Sequence, residues 1–282
     1  MSAKKIAIVT GGNKGIGFAI VRGLCKVFDG DVYLTARDAG RGQVAIDELT
    51  NEGHSPKFHQ LDIDDTSSID RLRDFVREEY GGLDVLVNNA GVAYKFDSTA
   101  PFAEQAEVTV KTNYFSTMNV CQALFPLLRS HSRVVHLSST AAIYVLSKCA
   151  EEAKERVMGV KNVGDVTGFI TDFVELAKAG KRNGWPENSY GMSKLALSAV
   201  TPIQQREIDA DKSRQDIVIN AVCPGGVSTD MSSHKGTKTI DEGAEVPLYL
   251  ALLPPNTNSP RGCHVNDKKE IVKLDGTFSG WK

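Results

Sequence analysis

The stretch Lys5-Ile-Ala-Ile-Val-Thr-Gly-Gly-Asn-Lys-Gly-Ile-Gly17 leaves the chain few ways to fold. Ile6 to Val9 are apolar without a break, as in a strand whose sheet is covered on both faces. The run dissolves into glycines and resumes at helical spacing through Ile16, Ala19, Ile20, Gly23, Leu24 and Val27. The order imposed is strand, loop, helix. Gly11, Gly15 and Gly17, with Asn13, Lys14 and Ile16 between them, let the backbone turn tightly and approach a ligand, and the helix aims unpaired N–H groups at it. A pyrophosphate suits such a place. The spacing T-G-x-x-x-G-x-G is neither G-x-G-x-x-G nor the triphosphatase G-x-x-x-x-G-K-[ST], and alone it also fits a connection that holds nothing.

The next elements repeat the pattern. Asp31 to Arg37 reads as a second strand, and its exit is where dinucleotide folds meet the adenosine ribose. An acidic exit suits NAD; here Arg37, Arg41 and Lys14 are cations that suit the extra phosphate of NADP(H), although Arg41 equally fits a solvated surface cation. A helix over about Gly42 to Asn51 leads to a strand over Phe58 to Ile63. Within it Asp62, beside Ile63, is placed to accept from the adenine amine or to cap the next helix, Ser67 to Tyr80. A fourth strand from Leu83 runs into Asn88-Asn-Ala-Gly91, whose small residues Ala90 and Gly91 leave room for a ligand, while the Asn89 amide serves either cofactor or strand pairing. The expected fold is α/β, a Rossmann-type doubly wound parallel sheet in a single domain over residues 1–282.

The charge balance excludes some partners. With 33 basic against 35 acidic residues, the formal net charge of −2 gives no general attraction to nucleic acid or an anionic membrane. Five scattered cysteines without C-x-x-C pairing argue against a disulfide framework or a zinc site and fit a reducing compartment. The first strand begins so early that a signal peptide has no room, and no apolar run reaches membrane-spanning length. A cytoplasmic protein without metal, nucleic-acid or membrane partner is expected.

Pro101 to Leu128 reads as mostly helical, with Asn113 inside it. Asparagine is a poor interior helix residue, so its amide bonds a neighbouring backbone or holds a water. Arg133 to Ser139 is a fifth strand that ends in two hydroxyls, and His136 within it reads as an interior histidine with no catalytic part. Residues 141–186 break the rhythm with two helical stretches, Ala150 to Met158 and Asp165 to Ala179, read as an insertion over one face. Tyr190 and Lys194, four apart, then share one face of a helix. A phenol titrates near 10 unless nearby positive charge stabilises the phenolate, and Lys194 can supply that charge. A sixth strand over Asp216 to Cys223 exits into Pro224-Gly-Gly-Val-Ser-Thr229, whose Pro224, Val227 and Thr229 can wrap a nicotinamide; a helix over Asp241 to Leu253 and an edge strand and tail over Gly262 to Asp275 finish the chain.

These residues resemble the short-chain dehydrogenase/reductase family, and within it the monomeric NADPH-dependent carbonyl reductases. Thr10-Gly-Gly-Asn-Lys-Gly-Ile-Gly17, Asn88-Asn-Ala-Gly91, Asn113, Ser139 and Tyr190-Gly-Met-Ser-Lys194 match the family's motifs in order. The resemblance also covers the insertion before Tyr190. It implies reduction of ketone, aldehyde or quinone carbonyls with NADP(H) by a monomer, the insertion covering the surface other members use to tetramerise. It further implies Tyr190 as proton donor, Lys194 on the nicotinamide ribose, Ser139 orienting the carbonyl and Asn113 holding a relay water. Lys95, Phe96 and Gln105 lie where such reductases hold glutathione conjugates, and Ala141 and Gly226 border the substrate. Gly226 stands where a carbonyl reductase carries tryptophan, and Val222 replaces the first of two adjacent cysteines, so a wider pocket is expected. A non-catalytic NADPH-binding module on the same fold, or a reductase dedicated to one metabolite, is the rival reading.

Overall fold

Successive side chains of a strand face opposite ways, so the unbroken apolar run Ile6–Val9, strand β1, has to be covered twice. The computed structural model, which describes residues 4–274, covers it in that way. Ala7 and Val9 pack with Phe18, Ile20 and Leu24 of helix α1 (Gly15–Val27). Ile6 and Ile8 face the other layer and meet Ile69, Leu72 and Val76 of a later helix. Strand β2 (Asp31–Ala36), helix α2 (Ala39–Asn51), strand β3 (Lys57–Gln60), helix α3 (Thr66–Tyr80) and strand β4 (Leu83–Asn88) continue the alternation.

Helix α4 (Phe102–Val110) runs into a π-helical turn, Lys111–Ser116, and on through α5 (Thr117–Leu124) to strand β5 (Leu128–Leu137). Three helices follow, α6 (Thr140–Ser147), α7 (Glu151–Met158) and α8 (Val163–Lys178). Then come α9 (Ser189–Ala210), strand β6 (Val218–Val222), α10 (Ile240–Ala251) and strand β7 (His264–Val265). The strands form one sheet, ordered β3-β2-β1-β4-β5-β6-β7, and every pair in it is parallel. The doubly wound expectation therefore holds, with the order reversing between β1 and β4.

Several boundaries differ from the sequence reading, each for a local reason. β3 stops at Gln60, so Asp62 and Ile63 lie in the loop beyond it. Asp62 does not cap α3; Asp65 does, accepting from the Ser67 N–H, while Asp62 accepts from the Asp64 N–H. β5 begins at Leu128, five residues early, its start paired with Leu83 across an irregular register. The insertion carries α6 as well as the two expected helices, because Ser139 accepts from the Ala141 N–H and caps a helix directly at the strand's end. Phe169, Ile170 and Phe173 of α8 are buried against α4 and α9, with Trp185 stacked on Phe169 at 5.8 Å. The last strand is a two-residue parallel edge; Asp275, the end of the expected tail, lies outside the described residues.

Two histidines are sealed in this core. His136 is fully buried, with Nε2 2.9 Å from Gln204 Oε1 and Nδ1 3.1 Å from the Asn88 amide nitrogen. His264 lies against Ser198, and burial pushes both imidazoles down to about 4. The unfolded chain takes up protons near pH 6.5, whereas the folded chain refuses them until about pH 4. Stability should therefore fall as pH drops through this window, by on the order of 2 kcal/mol per imidazole at pH 5. Denaturant melts between pH 7.5 and 4.5 check this, and a flat stability would contradict it.

Candidate active site

The strand order reverses between β1 and β4, and in open α/β sheets the crevice that holds a ligand lies at the carboxyl edge at such a point. The glycine loop forms one wall. Gly11 and Gly15 have φ of +64° and +58°, a region that favours residues without Cβ. A Cβ at Gly17 would sit 2.4 Å from both the Asn89 amide nitrogen and the Gly11 carbonyl oxygen, so the helix can start this close to β4 only with glycine. Lys14 occupies the N-cap of α1 without a side-chain cap, which leaves the first-turn N–H groups of Gly15, Ile16 and Gly17 for an anion.

Asn89 takes the strand-pairing role of the two left open. Its amide donates to the carbonyls of Thr10 and Gly11 at 2.8 and 3.0 Å. Thr10 returns the tie, its hydroxyl oxygen accepting from the N–H groups of Asn89 and Ala90, both at 3.0 Å. The two loops are thus fixed to each other before any ligand arrives. Arg37, at the exit of β2, is exposed and makes no ion pair among the described residues. Arg41 lies 3.7 Å from Asp38, which also caps α2, and Lys14 pairs with Asp230 at 2.8 Å. Two of the three cations thus have carboxylate partners. Those pairs are exposed and contribute little, so exchange for a phosphate is inexpensive.

Deeper in the crevice, α9 begins at Ser189 and carries Tyr190 and Lys194 over the end of β5. The Lys194 ammonium is buried, donates to the Leu137 carbonyl at 2.6 Å and lies 5.6 Å from the centroid of the Tyr190 ring. Burial lowers it to about 8. Burial also pushes the Tyr190 phenol up to about 12, with the facing Ser139 hydroxyl pulling the other way. The depressed phenol expected from sequence is not what the chain by itself produces, because desolvation of a phenolate outweighs its neighbours. Ser139 Oγ accepts from the Ala141 N–H at 3.1 Å, which leaves its proton to donate into the crevice.

Asn113 sits in the π turn, almost wholly buried. Its Oδ1 accepts from the Val92 N–H at 2.7 Å, and its amide donates to the Val92 carbonyl at 2.9 Å and to Ser193 Oγ at 3.0 Å. Ser193 in turn donates to the Tyr190 carbonyl at 2.7 Å. Sequence reading missed Ser193, and it missed Asp64, whose carboxylate accepts from Thr112 Oγ1 at 2.9 Å and Ser116 Oγ at 2.5 Å on either side of Asn113. The adjacent pair Asp64-Asp65 was the available signal, since one capping residue needs only one acid.

Gly91 lies between these groups; a Cβ there would be 3.0 Å from Asn113 Oδ1 and 3.6 Å from the Lys194 ammonium. The chain after β6 closes the far side. Pro224 and Gly225 turn it, Val227 is buried, and Thr229 comes within 3.5 Å of where a Gly15 Cβ would stand. Gly226 is exposed, with no atom within 4 Å of where a Cβ would stand. Of the remaining substrate-side candidates, Lys95 donates to the Asp230 carbonyl and to Ser233 Oγ, Phe96 is fully exposed, and the Gln105 amide donates to the Ala100 carbonyl at 2.8 Å. Ala141, at the start of α6, is half-buried beside Ser139.

Known proteins are similar to this chain. Residues 5–150 match the family model for short chain dehydrogenase. Carbonyl reductase [NADPH] 3 of Rattus norvegicus is 51% identical over 270 residues, which cover 95% of this chain and 98% of that one. Carbonyl reductase [NADPH] 1 of Homo sapiens is 49% identical over 267 residues, 94% of this chain and 96% of that one. Among solved structures, salutaridine reductase from Papaver somniferum superposes with a TM-score of 0.82 at 32% identity, over 93% of this chain and 99% of its own. The glycine loop, the Asn88-Asn-Ala-Gly91 turn and the Tyr190–Lys194 helix thus stand in a chain matched almost end to end, and this protein belongs to the short-chain dehydrogenase/reductase family.

Proposed function

We propose that this protein is an NADPH-dependent carbonyl reductase that converts ketones, aldehydes or quinones into alcohols or hydroquinones, working as a single-domain monomer in the cytoplasm. One observation carries the reading: a buried ammonium lies against a phenol whose hydroxyl faces a serine with a free proton. Similarity to NADPH-named carbonyl reductases over nearly the whole chain supports the cofactor and reaction class. Monomeric behaviour is supported by α8, which packs over α4 and α9. All five cysteines are free, which supports a reducing compartment, and no helix of the described residues is long and apolar enough to cross a membrane.

The crevice fits the cofactor. The uncapped start of α1 suits a pyrophosphate, Arg37 a 2′-phosphate, Asp62 and Ile63 the adenine, and the space at Gly91 a ribose beside Lys194. Asn13, Ala90, Pro224, Val227 and Thr229 border the same crevice. NADPH, when bound, supplies the hydride. Ser139 and Tyr190 hold the carbonyl oxygen between two donors, and pre-aligned donors at a developing alkoxide are worth more than the same groups in water. Tyr190 gives up its proton as charge develops on that oxygen. A phenol held near 12 waits in its protonated form at neutral pH, and Lys194 stabilises the phenolate left behind. With both amide protons committed, Asn113 has only oxygen lone pairs to offer a relay water.

Mixing the protein with NADPH and a quinone or an isatin-like diketone should consume NADPH absorbance; binding of NADPH without turnover of any carbonyl in a broad panel would refute the reading. Tyr190→Phe should bind NADPH normally and lose at least about a hundredfold in kcat. Arg37→Asp should shift preference from NADPH toward NADH by about tenfold or more, and an unchanged preference would place phosphate recognition elsewhere. Because Lys194 loses its charge above about pH 8, kcat/KM for reduction should decline as pH rises through that value. A profile level from pH 6.5 to 9 would contradict the role given to its charge.

A further inference from the structure

Behind the catalytic turn lies a second polar cluster that none of the preceding chemistry uses. Ser138, Ser198 and His264 are each almost wholly buried, and they come from three elements: the exit of β5, the third turn of α9 and the edge strand β7. Ser138 Oγ donates to the Lys194 carbonyl at 3.1 Å, Ser138 and Ser198 hydroxyls are 2.6 Å apart, and Ser198 Oγ is 3.0 Å from His264 Nδ1. The Ser138 N–H donates to the Val222 carbonyl at 2.8 Å, and Val222 is the neighbour of Ala221, which pairs with His264.

Counting protons fixes the direction of this chain. A hydroxyl has one proton to donate. With the Ser138 proton on the Lys194 carbonyl, the 2.6 Å contact needs the Ser198 proton, and the Ser198–His264 contact then needs a proton on Nδ1. The single group left over is the lone pair of His264 Nε2, and Nε2 is the ring atom that is buried without a partner. The reverse direction would strand an N–H donor there and leave the Lys194 carbonyl contact without a proton, which costs more.

We propose that His264 is a positioning residue: as the Nδ1–H tautomer it donates through Ser198 and Ser138 to the Lys194 carbonyl, locking the catalytic turn of α9 to the strand end that carries Ser139. The chain sets the spacing among Ser139, Tyr190 and Lys194 without touching substrate or cofactor. It rests on the carbonyl-reductase reading for its kinetic consequence and on hydrogen bonding alone for its tautomer. An error of about 1 Å between reacting groups costs up to about a hundredfold in rate, so breaking the chain should act on kcat.

Nitrogen-15 NMR of the imidazoles in the wild-type protein should show His264 neutral at pH 7 with its proton on Nδ1; a proton on Nε2 overturns the proposal whatever the protein reduces. His264→Leu and Ser198→Ala, assayed well below their melting temperatures, should lose about ten- to a hundredfold in kcat with KM for NADPH within about twofold. His264→Asn, whose amide can donate from the Nδ1 position, should recover most of the loss. Variants that melt earlier yet keep wild-type kcat would reduce the chain to scaffolding and sink the positioning role. A wild-type protein that reduces no carbonyl would instead sink the functional reading, leaving the tautomer result standing.

Discussion

An ammonium group taken almost wholly out of water is the constraint around which this fold is arranged. Lowering Lys194 from its ordinary value to about 8 corresponds to an unfavourable contribution on the order of 3 kcal/mol when the group is charged. The compensation is local and geometric. The Leu137 carbonyl, freed where β5 ends, accepts from the ammonium, and the face of the Tyr190 ring lies beside it. Neither partner is placed by its own segment. Both depend on α9 being held across the end of β5, which is why so many residues of α9's first three turns are buried.

The same economy of placement runs through the rest of the crevice. Thr10 and Asn89 tie the glycine loop to the exit of β4, Asp64 grips the π turn on both sides of Asn113, and Ser193 joins Asn113 to the Tyr190 carbonyl. The crevice is therefore bordered by side chains whose own hydrogen bonds are already made. The far wall is tied less firmly. There the chain after β6 holds Lys14 and Lys95 through Asp230 in exposed contacts that solvent weakens.

Much of the architecture was legible because it rests on periodicities of one strand or one helix. The all-apolar β1, the amphipathic α3 and the turns between them needed no tertiary information, and the parallel order followed from strict alternation. Tyr190 and Lys194 were legible for the same reason, since four-residue spacing fixes a shared face. Misreadings fell where one segment's conformation depends on another's atoms. The π turn at Lys111–Ser116 is held by an acid 48 residues away, and β5 stops at Leu137, short of the expected Ser139, because Ser139 is spent as the cap of α6. Lys14 and Arg41 were legible as basic residues beside the glycine loop and the exit of β2, but their carboxylate partners were invisible.

Sequence by itself determined the layered α/β fold, the glycine loop, and that the Tyr190 phenol and the Lys194 amine share one helix face, because backbone dihedrals and side-chain periodicity are local properties. Only the tertiary structure decided the protonation of those groups. Whether a phenol sits near 10 or is pushed to about 12, and whether an ammonium is fully charged or poised near 8, depends on how much water the surrounding layers remove. Desolvation sums over every element packed around a site, and no stretch of residues carries that sum.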